Sequence, residues 1–381
     1  MRVYFDNAAT TALDPEVIKV MTQVMQENFG NPSSIHREGR TSRSLIEKAR
    51  KTVAKCINAS ISEIFFTSGG TESSNMTLKC SVRDLGVERI ITSKMEHHCI
   101  LHTVESLEKS HGTIVEFVNI DNCGRIDYTQ LETLLANSTK KTLVTLMHAN
   151  NEIGSLMDLD RVAQICQNHN AYFHSDTVQT MGHLPIDVET TKIHFLTGSA
   201  HKFHGPKGVG FIYINADALI KPYMEGGAQE RNMRGGTENL YGIVGLAKAL
   251  ELTVENRTEN HQYIEGLRNY LKTQLTTNFE DIQFNGCQES YLFKTLSVSF
   301  PPSPKSDLLM LNLDIAGISA SGGSACSSGA EKGSHVLESI NAPKERKTIR
   351  FSFSHFNTKE EIDFLIEKLK SIIAVKKELA A

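Results

Sequence analysis

Thr142-Leu143-Val144-Thr145-Leu146-Met147, then Leu159, Val162, Ala163 and Cys166 at helical spacing within 158–169, then Ala171-Tyr172-Phe173-His174, is the stretch that decides the fold. An apolar run, an amphipathic helix and a second apolar run predict parallel strands joined by a helical crossover. Reading outward, the same unit recurs. β-rich runs at 63–67, 89–92, 114–118, 194–197 and 209–214 alternate with helical patterns. That pattern predicts an α/β fold with a mostly parallel sheet covered by helices on both faces. Ligands then belong beyond the carboxyl ends of the strands, where the Gly-rich and polar segments fall. The C-terminal third departs from the alternation. Residues 256–285 read as helix and then loop, and 291–300 as a strand stopped by Pro301-Pro302-Ser303-Pro304. Thr358 and Glu361 form a capping box ahead of an apolar face at Ile362, Leu365, Ile366, Leu369, Ile372 and Ile373. This predicts a second, smaller α+β domain packed on the first.

The 381 residues suffice for two or three domains. With 40% hydrophobic and 22% charged residues, the chain is neither disordered, collagen-like nor a coiled coil. Lys and Arg total 40 against 44 acidic residues, a net charge of -4, which argues against nucleic acid as a main partner. No run approaches the ~18 apolar residues of a membrane helix. The opening Met1-Arg2-Val3-Tyr4-Phe5-Asp6-Asn7 has no apolar export signal, so a cytoplasmic protein is expected. The seven cysteines are scattered and never spaced C-x-x-C. Neither a disulfide framework nor a structural zinc site fits; a reducing compartment does. Cys56, Cys80, Cys123, Cys166 and Cys287 read as buried apolar residues, whereas Cys99, beside His97 and His98, stays open.

Four segments carry candidate chemistry. Thr67-Ser68-Gly69-Gly70-Thr71-Glu72 follows a strand and opens a helix, whose free N–H groups and positive dipole end favour an anion. Alone, it reads as an ordinary strand-to-helix turn. There is no Walker loop and no dinucleotide fingerprint. Asp176 and Gln179, in His174-Ser175-Asp176-Thr177-Val178-Gln179, stand at a strand end, where a carboxylate caps a helix or meets a cation. Ser199-Ala200-His201-Lys202-Phe203-His204-Gly205-Pro206 sets Lys202 between two histidines after another strand. In isolation such a lysine is a surface residue, but in a cleft beside cationic groups it suits a Schiff-base amine. His201 and His204 lack an evident third ligand for a metal. Taken together, an anion cradle, a strand-end carboxylate and a lysine suit pyridoxal phosphate: phosphate, ring nitrogen and imine in turn. Finally, Ser321-Gly322-Gly323-Ser324-Ala325-Cys326-Ser327-Ser328-Gly329-Ala330 surrounds Cys326 with small residues rather than apolar ones. That setting suits a nucleophilic thiol that must reach more than one partner.

These residues resemble the NifS/IscS-type pyridoxal-phosphate-dependent cysteine desulfurases of the class V aminotransferase superfamily. The resemblance runs from Val3-Tyr4-Phe5-Asp6-Asn7-Ala8-Ala9-Thr10-Thr11 through Asn31-Pro32-Ser33-Ser34 to Ile349-Arg350-Phe351-Ser352. Its most specific pieces are Met147-His148-Ala149-Asn150-Asn151-Glu152-Ile153-Gly154, the Lys202 loop and Gly323-Ser324-Ala325-Cys326. It implies a type I fold with an arm at 1–15 joining the small domain, a large coenzyme domain at 16–255 and a small domain at 256–381. It implies that Lys202 holds the coenzyme, Asp176 pairs with its ring nitrogen and Gln179 bonds its phenolic oxygen. Gly70, Thr71, Ser199 and His201 would bind its phosphate, with Thr237 reaching across a homodimer. His97 would stack on the ring and move protons, and Asn151 and Arg350 would hold the substrate carboxylate. Cys326 would take sulfur from L-cysteine as a persulfide, leaving L-alanine, and pass it to an iron–sulfur scaffold or a thiolation enzyme. The family pattern has Gly where this chain has Ser354, and the chain ends at Ala381 without the segment IscS-type members use to dock a scaffold. Another class V enzyme, an aminotransferase or selenocysteine lyase, is the alternative.

Overall fold

A computed structural model of the chain describes residues 1–303, 306–322 and 333–373. Its twelve strands are β1 (Val3–Tyr4), β2 (Ile64–Thr67), β3 (Arg89–Thr92), β4 (Ile114–Phe117), β5 (Thr142–Thr145), β6 (Tyr172–Asp176), β7 (Phe195–Ser199), β8 (Gly210–Ile214), β9 (Gln283–Asn285), β10 (Thr295–Phe300), β11 (Ile318–Ser319) and β12 (Lys347–Ser352). Seven form one sheet in the order β2-β8-β7-β6-β5-β3-β4. Only β8 runs against its neighbours, pairing antiparallel with β2 and β7, while the other pairs are parallel. The expected mostly parallel α/β sheet is therefore present.

Alternation of side chains explains why both faces are covered. Ile64, Phe66, Ile91, Val144, Leu196 and Phe211 join one core, whereas Phe65, Ile90, Leu143, Phe195 and Ile212 join another. Helices Pro15–Glu27, Arg37–Cys56, Leu159–Asn168 and Leu240–Glu255 pack on the first face, and Gly70–Leu85 and His98–His111 on the second. Helix starts are chemically marked. Asp14 accepts from the Glu16 N–H ahead of Pro15, and Asp158 accepts from the Arg161 N–H.

A second, antiparallel sheet has the order β12-β10-β9. Helices Arg257–Asn278 and Lys359–Ile372 supply its core, the latter beginning with the expected Thr358–Glu361 capping box. The run at 291–300 is shorter than the sequence suggests, because Leu292 N–H is taken by Gly154 O and Thr295 N–H turns back to Leu292 O. Only from Thr295 is the backbone free to pair with β12. At the start of the chain, β1 pairs in parallel with β11, and Asp6 bridges to Ser352. Residues 8–12 then lie along the Lys202 loop. Thr11 N–H donates to His201 O at 2.9 Å, and His204 N–H donates to Thr11 Oγ1 at 2.9 Å.

Candidate active site

The carboxyl ends of β2, β6 and β7 converge on a cavity of about 390 Å³. Gly70, Thr71, His97, Asn151, Asp176, Gln179, Ser199, His201, Lys202 and Arg350 all line it. Ten of the residues named from the sequence are thus brought together. Two are not. Thr237 is exposed and does not line this cavity, and Cys326 lies outside the described residues.

Each wall has a local cause. Helix Gly70–Leu85 starts at Gly69, whose φ of 151° is open to glycine, and no side chain caps that end. Its first N–H groups therefore have no partner inside the helix. A Cβ on Gly70 would come within 2.8 Å of Val178 Cγ2, so the wall is as close as a glycine permits. Ser199 ends β7 beside this turn. The short helical turn Ala200–Lys202 follows, and Lys202 Nζ donates to Ala8 O at 2.6 Å and Ala9 O at 2.7 Å. Asp176 ends β6, buried, with Oδ1 accepting from Val178 N–H at 2.9 Å. Burial raises its proton affinity, against the opposing pull of His97 and Lys202.

His97 is the N-cap of helix His98–His111, its Nδ1 accepting from Cys99 N–H at 3.1 Å. The neutral ring therefore carries its proton on Nε2. Burial lowers its pKa. Asp176 acts on His97, while His98 instead packs on His335 and His102, with ring centroids at 4.5 and 5.1 Å. Burial holds His201 down to about 4, a neutral donor at physiological pH. The Cys99 thiol is pushed well up by burial, which answers the question left open by its histidine neighbours: it is no thiolate. Cys80, Cys166 and Cys287 are buried as expected, but Cys56 and Cys123 are only partly so. Cys56 is the last residue of its helix, at the rim of the core, and Cys123 sits in the surface turn whose N–H is bound by Asp121.

The loop after β5 is set by Asn150, whose Oδ1 accepts from Glu152 N–H at 2.8 Å and Ile153 N–H at 3.0 Å. This turns Asn151 and Glu152 into the cavity. Arg350, on β12, reaches it from the second sheet. Its Nη2 is paired with Asp6 at 2.7 Å and its Nη1 donates to Asn151 O at 2.8 Å. Ser354, four residues on, stays outside the left-handed backbone region and uses its N–H on Asn357 Oδ1 at 2.9 Å.

The residues fit pyridoxal phosphate on the chemistry of the donor set: an uncapped helix start walled by Gly70, hydroxyls of Thr71 and Ser199, a buried carboxyl and an amine. A buried, unbonded Gln179 Oε1 adds a polar group with no protein partner among the described residues. Sequence reasoning assigned no role to Glu152, His335 or Glu96. Glu152 and His335 line the cavity. Glu96 is buried beneath it, accepting from Met147 N–H at 2.8 Å and carrying a proton affinity raised well above normal by burial. The pairing Glu96-His97 was the one available signal for Glu96; His335 had none.

The aminotransferase class-V family model matches residues 3–365. The cysteine desulfurase IscS of Dictyoglomus turgidum is 41% identical to this chain, covering 99% of it and 97% of that protein. A solved NifS-like protein superposes with a TM-score of 0.90 at 38% identity, over 98% of this chain and 99% of its own. SspA, solved in complex with cysteine, superposes at 0.80 with 29% identity, over 94% of this chain and 100% of its own.

Proposed function

The chain belongs to the aminotransferase class-V family and is a pyridoxal-phosphate-dependent cysteine desulfurase; from that premise we propose how its residues divide the work. The observation that carries the assignment is the single cavity in which Lys202, Asp176, His97 and Arg350 meet the uncapped helix start at Gly70. Lys202 holds the coenzyme, and Gly70, Thr71, Ser199 and His201 hold its phosphate. Asp176 keeps a proton on the ring nitrogen, and Gln179 faces the phenolic side. When bound, the coenzyme supplies an electron sink that stabilises negative charge at the substrate α-carbon.

Arg350 and Asn151 orient L-cysteine by its carboxylate. The Lys202 amine and the His97 ring are the groups placed to take and return protons, His97 through Nε2. Cys326, as thiolate, attacks the substrate sulfur. An S–S bond forms as the C–S bond breaks, and the carbon fragment gains a proton to become L-alanine. Cysteine plus thiol thus give alanine plus persulfide with no outside oxidant.

The chain acts as a homodimer. The exposed position of Thr237, outside its own cavity, supports a role for it in the partner's site. The segment that carries it is tied to the helix at Gly70 by the Arg234–Glu72 ion pair at 2.9 Å. The same reading divides the chain into an arm at 1–15, a large domain at 16–255 and a small one at 256–381. It places the protein in the cytoplasm, handing sulfur to an iron–sulfur scaffold or a thiolation enzyme. No helix among the described residues is long and apolar enough to cross a membrane.

The test is spectral and chemical. Purified protein should be yellow and should release alanine from L-cysteine with no keto acid present. Lys202→Ala should lose both the visible band and alanine release. A colourless wild type, or activity that depends on a keto acid, would overturn the assignment.

A further inference from the structure

Glu72 is the third residue of helix Gly70–Leu85, whose first two residues line the cavity. Its side chain is 9% exposed, and its carboxylate is bonded from two sides. Oε2 accepts from Ser68 N–H at 2.8 Å. Ser68 lies just outside the helix, so this bond leaves the helix's own first N–H groups open. From the other side Arg234 donates through Nε to Oε1 at 2.9 Å and through Nη2 to Oε2 at 3.3 Å, the two-pronged contact of a guanidinium with a carboxylate. Against the upward push of burial, the bonds from Arg234 and Ser68 hold the Glu72 carboxyl below its ordinary range, so it is an anion at neutral pH.

Arg234 comes from a distant stretch of chain that closes tightly on itself. Gly235 N–H donates to Met224 O at 2.9 Å, and a Cβ on Gly235 would stand 2.8 Å from Gly226 Cα. Glu230, the other carboxylate acting on Arg234, is already bonded to Arg50 and to Phe66 N–H. Arg234 is thus directed onto Glu72. The charge it meets is badly placed for an anion site. A helix start favours negative charge within its first turn, and Glu72 already supplies one there. A phosphate held at Gly70 and Thr71 would share that turn with a like charge.

We propose that Arg234 is a positioning residue for the coenzyme phosphate, acting through Glu72: it neutralises the carboxylate in the first turn of the phosphate-binding helix, so that the phosphate meets the helix start without a competing anion. This rests on the assignment of the phosphate to Gly70 and Thr71 above. Glu72 keeps a structural use, fixing Ser68 ahead of the glycine turn, and Arg234 cancels the electrostatic cost of having it there. The pair therefore separates two effects of one carboxylate, its hydrogen bond and its charge.

The experiment titrates the full-length chain, stripped of coenzyme, with pyridoxal phosphate and separately with pyridoxal, which keeps the aldehyde but lacks the phosphate. The visible band reads the bound fraction. Arg234→Met should raise Kd for pyridoxal phosphate about tenfold, the reach of one charge in a partly buried first turn, and leave Kd for pyridoxal within about twofold of wild type. Glu72→Gln keeps an acceptor for Ser68 without the charge, and its Kd for pyridoxal phosphate should equal or fall below that of wild type. Combining the two substitutions should bring Kd back to within about threefold of wild type, which the loss of a purely structural tether would not do. Equal weakening toward both ligands in Arg234→Met, or a double variant as weak as Arg234→Met, would overturn the proposal. Should Arg234→Met fail to fold, Glu72→Gln still tests it, since a Kd raised about tenfold there would overturn it. Thr71→Ala binding pyridoxal phosphate as wild type does would instead overturn the placing of the phosphate itself.

Discussion

Arg350 is a fully buried guanidinium with two of its three nitrogens already committed, one to Asp6 and one to the Asn151 carbonyl. Its Nε is buried without a partner among the described residues. A planar five-donor group can keep those anchors and still face a carboxylate, which an ammonium cannot. Arg350→Lys should therefore raise KM for L-cysteine by about tenfold or more, equivalent to ~1.4 kcal/mol of binding, with the coenzyme band unchanged. Steady-state alanine release checks this; an unaltered KM would remove Arg350 from the substrate site. At this scale the chain was legible where a residue belongs to a polar strand end. Asp176, Ser199 and Lys202 stand out because apolar runs stop at them. Glu96 does not stand out, since burial of a charged side chain is decided by what distant segments pack over it. Cys56 and Cys123 fail in the opposite sense, small thiols that local composition could not separate from core.

Elements were read best where periodicity was strict. All seven runs of the main sheet form strands, because alternate residues feed two separate cores. Their ends shifted by one or two residues where side-chain polarity does not mark the last ladder bond. The reversal of β8 was not legible, since an apolar run carries no direction. One connection shows how tertiary pairing fixes a segment that local preference disfavours. Glu230, Arg231 and Asn232 have φ of 43°, 56° and 65°, a left-handed run without glycine. Glu230 is held there by Arg50, at 2.7 and 3.0 Å, and by Phe66 N–H at 2.7 Å. Glu230→Ala would leave the buried Arg50 guanidinium only the partly exposed Glu47, at 3.3 Å, and the Ile64 carbonyl, at 2.9 Å, and should cost about 3 kcal/mol of stability. Chemical unfolding measures it. A loss under ~1 kcal/mol, the scale of an exposed pair, would show that the bridge does not anchor this segment.

At the scale of the whole molecule, the site exists only because the two sheets and the arm meet. The main sheet brings Asp176 and Lys202, the second sheet brings Arg350, and residues 8–12 clasp the lysine loop between them. Sequence periodicity foretold both layers but not how they join; that came from the resemblance. Cys326, the proposed sulfur acceptor, lies outside the described residues. The most direct measurement is mass spectrometry of the protein after brief turnover with L-cysteine, alongside Lys202→Ala and Cys326→Ala. One added sulfur atom on the peptide containing Cys326, formed in step with alanine and absent from both variants, is the predicted result. Alanine released at the wild-type rate by Cys326→Ala, or sulfur found only on another cysteine, would contradict it.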